Sequence, residues 1–149
     1  MHNMKRIISL TLLICLSIII LSACNNDVSK IDEIELEIGN STRFTQQEIM
    51  NSVHTVIKTF NTDYSGCTLT HLWYDEEKTE AMLNSYMKNG RGSVNGVDRE
   101  NVIVLLSNFE VGSFGHCQSL ESDTIYKNWN WILIRDTKDG NWRVDDKGF

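Results

Sequence analysis

Carboxylates, histidines and cysteines are the groups in this chain that could move a proton, hold a metal or act as nucleophiles, so their spacing decides what chemistry to expect. Asp75-Glu76-Glu77 stands directly after a β-like run, and Asp145-Asp146 lies near the C-terminus. A general base at either place would need a carboxyl deep in an apolar pocket with a raised pKa. Acidic residues at a helix start are also what the helix dipole favours, and no histidine or further carboxylate stands at ligand spacing from Asp75. His116 beside Cys117 has no second pair at zinc spacing. His54 adjoins an apolar helical stripe and reads as a partly buried surface residue. The glycine-rich stretch Gly90 to Gly96 lacks both a preceding strand and the Lys-Ser/Thr of a phosphate loop, so it reads as a connection. Asp136 to Asn141 departs from calcium-loop spacing and reads as a hairpin turn. No catalytic set, metal or cofactor is therefore expected. The remaining candidates are aromatic. Trp129 and Trp131 project to one strand face, and Trp73-Tyr74-Asp75 ends another strand, so an aromatic-lined pocket with one acid at its mouth would suit a small molecule, glycan or protein partner. The alternative, that the tryptophans are core, stays open.

These residues need a sheet and helices to position them. Lys127 to Asp136 is rich in β-branched and aromatic residues and turns back through Asp-Thr-Lys-Asp-Gly into Asn141 to Asp146, a hairpin. On it, Trp129, Trp131 and Leu133 share one face, with Tyr126, Asn128, Asn130, Ile132 and Ile134 on the other. A lone hairpin is marginal in water, so more strands and a helical cover are required. Cys67 to Tyr74 and Asn101 to Val111 read as strands, and Glu33 to Ile38 alternates with a period of two, as an edge strand does. Thr45 with Glu48 forms a capping box, Phe44 can staple onto Ile49, and Ile49, Met50, Val53, Val56, Ile57 and Phe60 recur at helical spacing. A second helix runs from Asp75 to about Lys88, burying Met82, Leu83, Tyr86 and Met87, and ends at Asn89-Gly90. The fold class is α+β, a curved antiparallel sheet packed on one or two helices. Val102 to Leu106 and Ile132 to Ile134 are apolar on both faces, so a second copy of the chain is expected to cover what the helices leave bare, as a two-fold homodimer.

Lys5 and Arg6 precede an apolar run from Ile7 to Leu21 that is shorter than the ~20 residues of a spanning helix and ends in Leu21-Ser22-Ala23-Cys24. That order is a secretory signal with a small-residue cleavage site. The division is thus a signal over 1–23, a tether with a possible edge strand over 24–43, and one α+β domain over 44–149. Removing two of the 14 basic residues against 20 acidic ones takes the net charge from −6 to about −8. An acidic surface repels phosphates, so nucleic acid is excluded as a partner. Cys67 and Cys117 would reach a compartment that permits a bridge. Free thiols are the expectation, since unpaired cysteine is itself among the most buried residue types and Cys117 falls in an irregular segment.

Leu21-Ser22-Ala23-Cys24 resembles the lipobox of bacterial lipoproteins, which implies that Cys24 carries diacylglycerol as the new N-terminus. The implied location is the cell envelope, anchored to the outer face of the cytoplasmic membrane through the lipid on Cys24. Gly66 to Lys78, Gly90 to Asp98, Asn101 to Phe109, Tyr126 to Asp136 and Trp142 to Asp146 together resemble a domain of unknown function found in lipoproteins of gut Gram-positive bacteria. That family is similar to the nuclear-transport-factor-2-like fold, which implies a curved antiparallel sheet wrapped on helices with a pocket between them. The expected function is a non-catalytic ligand- or partner-binding accessory domain. The alternative is a small-molecule enzyme using Asp75, Asp145 or Asp146 as general base.

Overall fold

The alternating and helical patterns translate into nine short segments of regular structure in a computed structural model that describes residues 33–113 and 120–149. The signal, Cys24, most of the tether, and His116 with Cys117 lie outside the described residues. Ile34–Phe149 form one compact unit. Strands β1 (Glu35–Ile38), β2 (Cys67–Tyr74), β3 (Val102–Val111), β4 (Ile125–Ile134) and β5 (Arg143–Gly148) make one sheet in sequence order. Helix α1 (Gln46–Asp63) joins β1 to β2, and α2 (Glu76–Asn89) follows β2.

The class is α+β, but the sheet is mixed, because β1 pairs with β2 in parallel while the other pairs are antiparallel. The physical reason is the connection. Parallel neighbours need a crossover of a dozen or more residues, and the whole of α1 lies between β1 and β2. Gly90 to Gly96 is also more ordered than a plain connection, since Gly92–Asn95 forms a short helix, α3. Gly92 is required there, because a Cβ on it would lie 2.6 Å from the Tyr86 ring.

Thr45 caps α1 through the reciprocal box with Glu48 that the sequence encodes. Ile49, Val53, Val56, Ile57 and Phe60 are buried on one face, joined by Ser52, whose hydroxyl donates to the Ile49 carbonyl at 2.6 Å. Phe60 stacks on Tyr64 at 4.9 Å, and Tyr64 meets Trp131 edge-on at 5.5 Å. On the opposite face, Leu83 and Tyr86 of α2 pack with Val102, Val104, Ile132 and Ile134. The two helices therefore cover opposite faces of the sheet. This corrects the premise of a bare apolar face, which was the reason to expect a second copy over it. His54 is exposed rather than partly buried.

Three register shifts bend the strands, at Thr70 in β2, Asn128 in β4 and Asp145 in β5. Asn128 takes a left-handed backbone (φ 56°) and its amide donates to the Asn108 side chain at 3.0 Å. The extra residue turns Tyr126 over. It stacks on Phe109 at 5.2 Å, beside Trp129, instead of lying on the face opposite the tryptophans. A further correction concerns Cys67, which is disulfide-bonded rather than a free thiol.

Candidate functional site

Glu35 and Glu37 lie two residues apart on β1 and so project to the same face. The parallel register sets Glu35 opposite His71 and Glu37 opposite Trp73. That face belongs to α2, because Trp73 pairs with Leu106, two residues from Val104 of the α2-side core. Beyond Ile38 the Gly39 amide still donates to the Tyr74 carbonyl at 3.1 Å, and Ser41 and Thr42 then reach the start of α2. Glu76 accepts from the Thr42 amide and from the Tyr74 hydroxyl, both at 3.0 Å. The result is an open cleft of 740 Å³ between the β1 edge and the first turns of α2, lined by Trp73 and by five carboxylates, Glu37, Asp75, Glu76, Glu77 and Glu80.

These carboxylates differ in what they are free to do. The Lys78 amide, 3.0 Å from Asp75, holds that carboxyl below its usual value, and the Lys78 ammonium lies 3.2 Å away. The Ser41 and Thr42 hydroxyls hold Glu76 at about 2. A lowered pKa makes a poor general base, so Asp75 is placed as a helix cap. Glu80 pairs with Arg99 at 2.6 Å. Glu77 makes no ion pair among the described residues, and Glu37 is 64% exposed. The helix dipole accounts for Asp75, Glu76 and Glu77 without any ligand. It does not account for Glu37, which arrives from another element.

Of the predicted aromatic set, Trp73, Tyr74 and Asp75 line this cleft, and Trp129 and Trp131 do not. Trp73 is 8% exposed and lines the cleft. Tyr74 lines the cleft as well and its hydroxyl donates to Glu76, while its ring packs edge-on to Phe44 at 6.3 Å and burial pushes the hydroxyl up to about 12. Trp131 is fully buried on the α1 face, and its indole N–H donates to Ser107 at 2.8 Å. Trp129 shares that face, packed edge-on against Phe149 at 5.0 Å and Phe109 at 5.5 Å. Its buried indole nitrogen lies near the Tyr64 hydroxyl but makes no well-formed hydrogen bond. Asp145 is occupied by the Tyr86 hydroxyl at 2.7 Å and by Arg91 at 3.2 Å.

Sequence reasoning missed Glu35, Glu37 and His71 as a group. One ligand atom from each lies within 4.8 Å of the others. The available signal was the Glu-x-Glu alternation together with His71 two residues before Trp73. What joins them is parallel pairing across a helix, which spacing along the chain does not express.

The pattern of a family described as a domain of unknown function (DUF4829) matches residues 24–148, and the chain belongs to that family. No curated protein and no solved structure matches this chain. Among the described residues no helix is long and apolar enough to cross a membrane.

Proposed function

We propose that this member of the DUF4829 family is the extracytoplasmic, ligand-binding part of a bacterial lipoprotein, held at the membrane by lipid on Cys24, and that its ligand is a small amine-bearing molecule bound in the acidic cleft. The observation that carries the binding reading is the convergence of carboxylates from two separate elements on a cleft that Trp73 also lines. Carboxylates of one sign beside low-dielectric walls concentrate cations, and an ammonium near an indole gains further from the ring. Glu37 and Glu77 are the carboxylates to engage it. The chain's net charge of −6 works in the same direction.

The anchor rests on Leu21-Ser22-Ala23-Cys24 after the apolar run. Two acyl chains hold a protein stably at a bilayer where one holds it marginally. The three bulges and the helix laid on the aromatic face support the nuclear-transport-factor-2-like reading of the fold.

Two experiments test this. A fatty-acid probe should label the wild type and not Cys24→Ser; equal labelling would end the lipoprotein reading. Oligomers of glucosamine should raise the melting temperature, with the effect fading as salt rises, while their N-acetylated counterparts should not. Equal shifts from charged and neutral sugars would remove the cationic-ligand reading.

A further inference from the structure

We infer that Glu35, Glu37 and His71 form a binding site for one divalent transition-metal ion of the zinc type. His71 Nε2 is buried and has no hydrogen-bond partner. A buried imidazole nitrogen ordinarily has one. Its neighbour is Glu37 Oε2 at 3.7 Å, too far for a hydrogen bond. That separation suits a shared ion. Two donors each ~2.0–2.1 Å from a tetrahedral zinc stand about 3.4 Å apart, so closing onto a metal asks for a few tenths of an ångström at this pair. One carboxylate oxygen of Glu35 lies within 4.8 Å of a ligand atom of each of these residues, and Glu35 is an exposed side chain that can swing inward.

The surroundings support a metal rather than a bare ion pair. The His71 ring packs on Trp73 with centroids 4.5 Å apart, which fixes the imidazole plane and shields one side of the site from water. The parallel register sets Glu35 directly across from His71, so all three donors leave one side of a hydrogen-bonded strand pair. One imidazole with two carboxylates is a donor set that suits zinc or a similar borderline cation, and three protein ligands leave a further coordination position for water or an exogenous donor.

This inference does not rest on the cleft reading, although Glu37 belongs to both. Glu35 and His71 do not line the cleft, so Glu35→Gln and His71→Gln test the metal site alone. The full-length chain, stripped with a chelator, is titrated with Zn²⁺ by calorimetry and, in parallel, with Co²⁺ by visible absorption. The expected result is one tight equivalent per chain, a tetrahedral cobalt spectrum, and at least a tenfold loss of affinity in either variant, while Glu110→Gln, at an exposed position outside both sites, binds as wild type. Should His71→Gln fold poorly, Glu35→Gln at its exposed position carries the same comparison. Zinc uptake by both variants equal to that of wild type, or no uptake by wild type at tens of micromolar, overturns the assignment.

Discussion

On the α1 face of the sheet most polar groups are committed to structure, the Trp129 indole nitrogen excepted, whereas at the β1–β2 edge of the α2 face several are left over. Trp131 gives its N–H to Ser107, and Trp142 gives its N–H to the Glu48 carbonyl at 3.0 Å. Arg135, 4% exposed, meets Glu48 at 2.8 Å and lies over the Trp142 ring at 4.4 Å. Across the sheet, His71 Nε2 is buried without a hydrogen bond, and Glu37 and Glu77 face an open cleft. Tryptophan and glutamate occur in both places. An unused polar group marks a binding position only where a ligand can reach it: Glu37 and Glu77 open onto the cleft, whereas the unused Trp129 nitrogen is buried beside Phe109 and Phe149.

Three perturbations should sharpen that contrast, from the largest effect to the smallest. Trp131→Ala should cost about 3–5 kcal/mol in denaturant unfolding, because it empties a closed aromatic core and strands the Ser107 hydroxyl; a loss below 1 kcal/mol would make it a surface residue.

Acid should come next. Glu48 is held at about 2 by the Thr45 amide and by Arg135, against an ordinary 4.5. Glu76 is held at about 2 by the Ser41 and Thr42 hydroxyls. A depressed carboxylate contributes stability that is complete above the unfolded value and is lost as pH falls through the folded one. Melting temperature should therefore be flat above pH 4.5 and fall steeply toward pH 2, with each group contributing on the order of 2 kcal/mol after solvent screening. Glu48→Gln and Glu76→Gln should each flatten that limb, and an unchanged limb would count against the assigned hydrogen bonds.

The smallest effect belongs to Glu77→Gln, which should change stability by less than about 0.5 kcal/mol. The same substitution should weaken amine binding in the thermal-shift assay. A clear stability loss would place Glu77 in the fold rather than the site.

The helix and the strand alternation of the α1 face were legible in advance because their determinants are local, whereas the sequence left open whether Trp129 and Trp131 were core or site. The Thr45–Glu48 box, the Ile49 to Phe60 stripe and the alternation of Trp129, Trp131 and Leu133 all act within a few residues. The site was not, because its donors come from β1 and β2, separated by α1, and only the parallel register joins them. Tyr126 was misplaced for a related reason: one left-handed residue, Asn128, shifts the pleat, and alternation counted along the chain does not detect a bulge. The likeness of Trp73 to Trp131 in sequence was misleading as well. Leu106 pairs with Trp73 on one side and Asn130 on the other, which sends Trp131 to the opposite face.

The most direct measurement follows the indole N–H signals of the four tryptophans, assigned by Trp→Phe substitution, while a glucosamine oligomer is added. Trp73 should shift progressively to saturation, while Trp131 and Trp142, held by Ser107 and by the Glu48 carbonyl, stay in place. Movement of Trp129 or Trp131 with Trp73 unmoved would contradict the account and put the binding site on the other face of the sheet.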